Sequence, residues 1–476
     1  MSVPYKPEEI LGYKADNERR VREAAQRGDL FVDGMPLKVT MELTADCNLF
    51  CRMCEFPSPR EEGRKKGYEL DMRTELFDVL APQVFPHALM VNLTVVGEPM
   101  MVPYLDRVLE QARDWNTKIE FITNGMLLDQ AMIERVGPET AAMIVSFDAG
   151  TRRTFNRIRI GADFDVITLN MLLFDRWRKA RPEGQYRPAL HMNVTLMREN
   201  VEELPTLVRV AQLLGVDRVN CAWMIAFNEK IADSSCFRHK ALANACLRRA
   251  HAVADELWMD LVTPAEIPGV SEAEIAAVQV NEPNLPDGPL PHLREMLAGG
   301  AAPSITAAPA SAEDSFHAIG ANIPGTSDAA LLDELNGATL QHERAFGSPL
   351  QQSADERRLQ GQMAAAATPL PSLGVGIPAE PAQGTGRYTC KFLWNELFVS
   401  LTGDVAPCCI QGRPVVGNIH KEPLSLIWNG PGMQEMRKGL LEGNPIPCCK
   451  DCNYNTQLGQ GEYREDTFFI ELDRKL

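Results

Sequence analysis

The chain has 476 residues, of which 45% are hydrophobic and 24% are charged, and its formal net charge is −16 at pH 7. This length allows two or three domains with a large core, and the composition is that of an ordinary globular protein. The acidic balance argues against non-specific nucleic-acid binding, which needs a basic field. No apolar run reaches the roughly 18 residues of a membrane span, and the polar N-terminal stretch does not resemble a signal segment. We therefore expect a cytoplasmic protein with no membrane or nucleic-acid partner.

The first half of the chain alternates between helical and strand-like patterns. Residues 1–36 form a helical extension, and six strand-like runs then alternate with helical runs over residues 37–265. This alternation is typical of a parallel α/β sheet or barrel, although six units are too few for a closed eight-fold barrel. The predicted strands lie near residues 37–43, 89–95, 118–122, 142–147, 189–196 and 217–222.

Three cysteines follow the first predicted strand directly. Cys47, Cys51 and Cys54 have the spacing C-x3-C-x2-C on one short loop. Three thiolates on such a loop can bind three irons of a [4Fe-4S] cluster and leave the fourth iron open. A zinc site is the alternative, but without a fourth nearby cysteine or histidine the trio makes a poor tetrahedral site. The loop therefore predicts an iron–sulfur cluster with one open iron.

Short motifs stand at the ends of the strands that follow. They are Val96-Gly97-Glu98-Pro99, Thr123-Asn124-Gly125, Ser146-Phe147-Asp148-Ala149, Arg159-Ile160-Gly161, and Asn193 in the fifth strand. With the cysteine spacing, they resemble the radical S-adenosylmethionine (radical SAM) superfamily, in which SAM chelates the open iron. The resemblance implies a partial (β/α)6 barrel over residues 37–265. It also implies a cofactor-binding set: Gly97, Glu98, Pro99, Thr123, Asn124, Ser146, Asp148, Arg159 and Asn193.

The resemblance suggests a role for several of these residues. Glu98 and its turn would take the amino group of SAM, and Ser146 would reach the ribose or methionine part. Arg159 would pair with the carboxylate of SAM, and either Asn193 or Thr195 would bond to the ribose hydroxyls. Ordinary polarity at a strand end is the alternative for each single residue.

Cys221 closes the sixth predicted strand. A thiol at the C-terminal end of a barrel strand would face the substrate and could give a hydrogen atom to a carbon radical, as radical SAM epimerases require. The alternative is a small, buried, apolar residue.

Residues 266–387 are expected to be a linker or insertion that is largely disordered. From about residue 284 the sequence is rich in Ala, Pro, Gly and Ser. Such a composition buries too little apolar area to offset the entropy of ordering the chain.

Six cysteines return in residues 388–476. The spacings C-x17-C, Gly-x4-Cys and a later C-x2-C resemble the SPASM/twitch extension, which holds auxiliary [4Fe-4S] clusters. One auxiliary cluster is expected, because no further cysteine follows Cys452. Cys409 and Cys448 could each replace a neighbouring ligand, and a four-cysteine zinc ribbon is the structural alternative. The expected ligands are Cys390, Cys408, Cys449 and Cys452.

The resemblance implies an enzyme that cleaves SAM to a 5′-deoxyadenosyl radical, which then abstracts a hydrogen atom from the substrate. An electron donor such as flavodoxin or ferredoxin would supply the electron. Only residues 1–36 precede the first strand, which favours a small substrate and the oxidation or epimerisation of a sugar or aminocyclitol. Maturation of a ribosomally made peptide is the first alternative. A non-catalytic iron–sulfur or zinc scaffold is the second.

Overall fold

A ten-stranded, mostly parallel sheet organises the structure, a computed structural model that describes residues 6–54, 69–182, 186–226, 229–285, 390, 392–409 and 413–450. Its strand order is β12-β11-β10-β1-β3-β4-β5-β7-β8-β9, and β2 and β6 form a separate two-stranded sheet. The strands are β1 Lys38–Met41, β2 Phe50–Cys51, β3 Met90–Asn92, β4 Lys118–Thr123, β5 Thr140–Ser146, β6 Arg159–Ile160, β7 Ala189–Leu196, β8 Arg218–Trp223, β9 Asp260–Val262, β10 Glu396–Val399, β11 Asp404–Ala406 and β12 Gly417–Asn418.

Helices alternate with the strands, as the pattern predicts. They are α1 Pro7–Arg27, α2 Thr74–Val84, α3 Leu105–Asp114, α4 Gln130–Val136, α5 Arg152–Ile158, α6 Phe164–Lys179, α7 Leu204–Leu214, α8 Glu229–Ala232, α9 Lys240–Leu257, α10 Glu272–Ala276, α11 Phe392–Asn395, α12 Leu424–Trp428, α13 Pro431–Leu441 and α14 Pro447–Lys450. The six predicted strands correspond to β1, β3, β4, β5, β7 and β8, so the α/β class with a partial (β/α)6 barrel is confirmed. No helix in the described ranges combines the length and apolar character that crossing a bilayer requires.

Strand β7 has one apolar face and one more polar face. On β7, Leu190, Met192 and Val194 belong to the main hydrophobic core, whereas His191 and Asn193 alternate with them and do not. Side chains alternate along a strand, and the helices of a β/α barrel cover its outside. The apolar face therefore packs under the helices, and the polar face lines the barrel interior.

A buried ion pair joins two strands on that interior face. Lys38 Nζ of β1 lies 2.6 Å from Glu120 Oε1 of β4, and the two residues are 7% and 1% exposed. Removing one partner of a buried pair leaves the other charge uncompensated in a poorly solvated place. The pair therefore fixes β1 relative to β4, which lie on either side of β3 in the sheet.

Replacing Glu120 with Gln should lower the free energy of unfolding by about 3–5 kcal/mol, because Lys38 would stay buried without its nearest counter-charge. Chemical denaturation of the metal-free protein measures the change. The double variant Lys38→Met/Glu120→Leu should recover much of the loss, since no lone charge remains. Asp78→Asn, which breaks the exposed pair with Arg107, should cost less than about 1 kcal/mol. Equal losses for Glu120→Gln and Asp78→Asn would contradict the assignment.

The C-terminal segment extends the barrel sheet instead of standing apart from it. Strand β10 pairs in parallel with β1, with Lys38 opposite Glu396 and Met41 opposite Val399. Strands β11 and β12 then continue the sheet in antiparallel fashion. The sequence-based division at residue 388 therefore marks a change of composition, while the hydrogen-bonded sheet runs across it.

Arg437 ties the two ends of the chain together. It is fully buried, stacks on the Trp428 ring, and donates to the backbone carbonyls of Leu30, Leu393 and Trp428. A buried guanidinium needs such acceptors, because an unpaired one would cost several kcal/mol. The N-terminal extension is thereby fixed against the C-terminal segment.

The described start of the predicted linker corrects the expectation for residues 266–285. This stretch contains α10, which Ser271 caps, and Glu282 pairs with both Arg209 and Arg249 on the barrel helices. Ion pairs and a capped helix give these residues the fixed contacts that composition alone did not indicate. The rest of the predicted linker lies outside the described residues.

Candidate active site

The cysteine loop begins where β1 ends and is held by pairing with a distant part of the barrel. Cys51, in β2, lies opposite Arg159 in β6, and the backbone N–H of Arg52 donates to the carbonyl of Ile158. The thiol-bearing residues Cys47, Cys51 and Cys54 are all partly exposed. The loop therefore presents its thiols at the mouth formed by the C-terminal ends of the barrel strands, where β/α barrels carry their active sites.

Two polar side chains donate to the thiols. Asn124 Nδ2 lies 3.5 Å from Cys47 Sγ, and Arg159 Nη1 lies 3.7 Å from Cys51 Sγ. Burial raises the pKa of the Cys51 thiol to about 12, and the nearby Arg159 opposes that rise. A bound metal removes the thiol proton outright, and both donors would then stabilise a thiolate.

The loop fits an iron–sulfur cluster better than a single zinc ion. In a [4Fe-4S] cluster each thiolate binds its own iron, so the thiols surround the cluster without meeting at one point. The donors at Cys47 and Cys51 also match the hydrogen bonds to sulfur that tune such clusters.

Asp148 and Arg159 form a buried ion pair beside the loop. Asp148 Oδ2 lies 2.6 Å from Arg159 Nε, and Asp148 Oδ1 accepts from the backbone N–H of Thr195 at 2.7 Å. Burial raises the pKa of Asp148, although Arg159 works against the rise. Asp148 therefore orients the guanidinium so that its Nη1 reaches Cys51. The predicted pairing of Arg159 with the SAM carboxylate stays a prediction.

Glu98 links two of the predicted motifs. Its carboxylate accepts from Thr123 Oγ1 at 2.7 Å, from the Asn124 backbone N–H at 2.8 Å and from the Met100 backbone N–H at 3.3 Å. Its own N–H donates to the carbonyl of Asp46 in the cysteine loop. Glu98 therefore holds both turns against the loop, and its contact with the amino group of SAM stays a prediction.

The free energy of unfolding should fall as the pH rises from about 4.5 to 7, because of Glu98. Burial raises the pKa of this carboxyl from 4.5 to about 7. In that window the folded protein binds more protons than the unfolded chain, so rising pH costs stability by up to about 1.4 kcal/mol per pH unit. Across this window the free energy of unfolding should fall more steeply with rising pH in the wild type than in Glu98→Gln. Denaturation at several pH values measures both slopes. The exposed Glu110→Gln variant should run parallel to the wild type, and an unchanged slope in Glu98→Gln would refute the cause.

Gly97 lies so close to the cysteine loop that a side chain would not fit. Its φ is +84°, and a Cβ atom there would lie 2.6 Å from the carbonyl oxygen of Thr44 and 2.7 Å from that of Asp46. Pro99 follows at the start of a short 3-10 turn that ends at Met101. The turn after β3 therefore forms the support on which the cysteine loop rests.

Ser146 and Asn193 lie in register on neighbouring strands, and Asn220 of β8 continues the row. The nine residues predicted to bind the cofactor thus lie at or just after the C-terminal ends of β3, β4 and β5, around β6 and, for Asn193, in the middle of β7. Their individual contacts with SAM stay predictions. Asn220 was not among the predicted residues. The sequence does contain the signal, because Asn220 directly precedes Cys221 and adjacent residues of a strand face opposite sides.

The prediction that the Cys221 thiol faces the substrate needs correction. Its side chain is 2% exposed and belongs to the main core with Val219 and Trp223, on the helix-covered side of β8. Burial raises the pKa of its thiol far above the usual range. Because side chains alternate along a strand, the neighbouring Asn220 takes the interior side. The alternative of a buried apolar residue describes Cys221 better than a substrate-facing thiol.

Four of the C-terminal cysteines approach one another. The thiol of Cys448 forms a hydrogen bond with that of Cys449, and Cys390 and Cys408 lie near enough to disfavour a charged Cys449 thiolate. The pKa of Cys449 is therefore raised above its usual range. Cys409 instead packs with Phe398 and Ala406, near Lys38 and Arg413. This arrangement favours Cys408 over Cys409 as a predicted ligand and keeps both Cys448 and Cys449 available. Cys452 lies outside the described residues.

Comparison with known proteins supports the C-terminal group of cysteines. Residues 390–467 match the model of SPASM, an iron–sulfur cluster-binding domain. The chain is 30% identical over 190 residues to a PqqA peptide cyclase of Gluconobacter oxydans, covering 39% of this chain and 49% of that protein. The chain thus carries a segment that matches a SPASM domain, and its N-terminal cysteine loop resembles that of radical SAM proteins. The matched domain agrees with the predicted auxiliary [4Fe-4S] cluster, whereas SAM and the cluster on Cys47, Cys51 and Cys54 stay predictions.

The chain is also similar to proteins whose names differ from that of the peptide cyclase. It is 27% identical over 179 residues to the tungsten-containing aldehyde ferredoxin oxidoreductase cofactor-modifying protein of Pyrococcus furiosus, covering 37% of this chain and 48% of that protein. The matches thus span about half the length of the curated relatives. Streptococcus suis SuiB bound to S-adenosylmethionine is 13% identical with a TM-score of 0.45, over 92% of this chain and 72% of that one. That similarity is too low to support any argument about activity.

Proposed function

We propose that the protein is a radical SAM enzyme that removes a hydrogen atom from a carbon of a peptide substrate. The observation that carries the proposal is the cysteine loop held at the barrel mouth by Asn124 and Arg159. When bound, the cluster and SAM supply a 5′-deoxyadenosyl radical by reductive cleavage. The chain's own part is to bind, orient and enclose the reactants.

Each side chain of the mouth has a distinct part in that proposal. Cys47, Cys51 and Cys54 would hold the cluster, and Asp148 orients Arg159 toward it. Glu98 fixes the neighbouring turns. The buried setting of Asp148 and Glu98 would keep bulk water away from the reacting carbon, which protects a radical from side reactions.

A peptide substrate is supported by two curated relatives. PqqA peptide cyclases of Gluconobacter oxydans and Granulibacter bethesdensis are 30% and 29% identical to this chain over 190 and 187 residues. The name of those proteins states a peptide substrate. By analogy, the SPASM segment that joins β1 would form one wall of a peptide site, and its auxiliary cluster would lie beside that wall.

Oxidation or epimerisation of a sugar-like molecule is the second candidate. The polar interior favours it, because Lys38, Glu120, Asn193 and Asn220 all lie on the inner face. Hydroxyl-rich substrates need many hydrogen-bonding groups in a buried place. An electron donor such as flavodoxin or ferredoxin would serve either reaction.

Anaerobic reconstitution with iron, sulfide, dithionite and SAM tests the proposal. We expect about eight irons per chain, as two [4Fe-4S] clusters require, and formation of 5′-deoxyadenosine. Peptides encoded beside the gene, carrying deuterium on carbon, should transfer deuterium to that product. Transfer from labelled sugars alone would favour the second candidate. If no 5′-deoxyadenosine forms, the protein is a scaffold and the proposed reaction is wrong.

A further inference from the structure

A buried arginine lies between the C-terminal cysteines and the inner face of the barrel. Arg413 is 3% exposed, and its guanidinium carbon lies 3.9 Å from the centre of the Phe398 ring. Phe398 packs with Cys409 in a small separate cluster, whereas its strand neighbours Leu397 and Val399 belong to the main core. Because side chains alternate along a strand, the guanidinium stacks on the inner side of β10, next to the cysteine segment.

Glu42 brings a carboxyl group to the same inner side. It directly follows β1 and is 7% exposed, and its chain neighbours Met41 and Leu43 belong to the main core. Its own side chain therefore points to the opposite side, into the barrel. Burial raises the pKa of Glu42 to about 7, while the Arg413 guanidinium and a hydrogen bond from the Leu401 backbone N–H oppose that rise. Glu42 is thus an acidic group that faces Arg413 from the barrel.

The charge of Arg413 also acts on two of the C-terminal thiols. Burial raises the pKa of Cys409, and Arg413 opposes that rise. The hydrogen bond with Cys449 lowers the pKa of Cys448, and Arg413 lowers it as well. Cys448 belongs to the thiols that approach one another. Arg413 therefore lies within electrostatic range of the cysteines that are predicted to hold the auxiliary cluster.

Two further charged groups act on Cys409, and neither replaces Arg413. They are Glu396, which is acidic, and Lys38, which is already paired with Glu120 at 2.6 Å. A [4Fe-4S] cluster on four thiolates carries net negative charge, and the charges around it help to set its reduction potential. A buried cation favours the reduced cluster, because reduction adds one more negative charge. The position of Arg413 therefore suits control of that potential.

We propose that Arg413 raises the reduction potential of the auxiliary cluster through its buried charge, and that Glu42 opposes it from the barrel side. Neither residue needs to touch the substrate or to bind iron for this effect. The inference rests on the proposed function, since the auxiliary cluster belongs to the same enzyme. It assigns to two buried residues the control of how readily that cluster accepts an electron.

Redox titration of the reconstituted full-length protein, followed by electron paramagnetic resonance, tests the proposal. Arg413→Gln removes the charge, so the equilibrium constant for one-electron reduction of the auxiliary cluster should fall by about 10-fold. This is a shift of about 59 mV to a more negative potential. Arg413→Lys keeps the charge and should stay close to the wild type. The cluster whose signal responds to added SAM should keep its potential in both variants.

Glu42→Gln should shift the auxiliary potential in the opposite direction, to a more positive value. The titration is run at pH 8, where the wild-type carboxyl group is mostly ionised because its pKa is about 7. Lys438→Gln is the matched control. Its side chain is 60% exposed and lies on α13 of the same segment, so water and salt screen its charge and the potential should not change.

Opposite shifts in Arg413→Gln and Glu42→Gln support the inference, because a merely structural role does not reverse sign with charge. Equal potentials in the wild type and both variants overturn it, and so does an equal shift in Arg413→Gln and Arg413→Lys. Metal analysis checks that each variant holds about eight irons. If Arg413→Gln holds fewer, the direction of the shift in Glu42→Gln decides alone.

The metal content of the wild type gives one more decisive outcome. Zinc in place of iron on the C-terminal cysteines would overturn the inference, because no auxiliary cluster would then exist. Failure of the proposed function is a separate result. The titration uses neither peptide nor turnover, so a wild type that forms no 5′-deoxyadenosine still yields the potential of its auxiliary cluster.

Discussion

The Cys51→Ala variant should form 5′-deoxyadenosine more than about 100-fold more slowly than the wild type. Loss of groups that only orient a metal ligand already costs about 10–100-fold, and Cys51 is predicted to be a ligand itself. It also lies opposite Arg159, whose Nη1 contacts its sulfur. Quantifying the nucleoside by chromatography under strictly anaerobic conditions measures the effect.

Iron content gives the matching check on Cys51. The variant should retain about four irons per chain, because a [4Fe-4S] cluster in the SPASM domain does not depend on this thiol. Cys221→Ala, which removes a thiol from the helix-covered core, should retain about eight and keep its activity. A Cys51→Ala protein that still cleaves SAM at the wild-type rate would remove the basis for a cluster on this loop.

The Gly97→Ala variant should lose activity by about 100-fold, the scale of loss when reacting groups are misplaced by about 1 Å. A Cβ at this position would lie 2.6 Å from the Thr44 carbonyl oxygen and 2.7 Å from that of Asp46. Both atoms are backbone, so the cysteine loop itself must shift. Iron content and SAM cleavage should fall together, as metal analysis and product formation measure.

Gly269 supplies a matched control for the cost of the backbone conformation. Its φ is +83°, almost that of Gly97, but the nearest atom to an added Cβ is Lys240 Nζ at 3.9 Å. Gly269→Ala should therefore cost about 1–2 kcal/mol of stability from the left-handed conformation alone and leave SAM cleavage unchanged. Equal activity in both variants would show that the contact between Gly97 and the loop is unimportant.

The amino-acid sequence by itself determined the local features of this protein. The C-x3-C-x2-C spacing fixes three thiols on one loop whatever surrounds them, and alternating helical and strand patterns specify the α/β class. The predicted strands agree with β1, β3, β4, β5, β7 and β8 because each is a short apolar run whose preference is set by its own residues. The SPASM segment was also recognisable from the cysteine spacing near Cys408.

Only the tertiary structure decided the contacts between distant segments. The pairing of β10 with β1, of Cys51 with Arg159, and of Glu98 with the Asn124 turn joins residues far apart in sequence. Hydrogen-bond pairing between strands depends on how the whole chain packs, and no local pattern encodes the partner. Which of Cys221 and Asn220 points into the core depends on how β8 is aligned with its neighbouring strands. A shift of that alignment by one residue would place Cys221 on the interior face and Asn220 in the core. The thiol in the helix-covered core and the amide on the interior face are therefore properties of the assembled barrel.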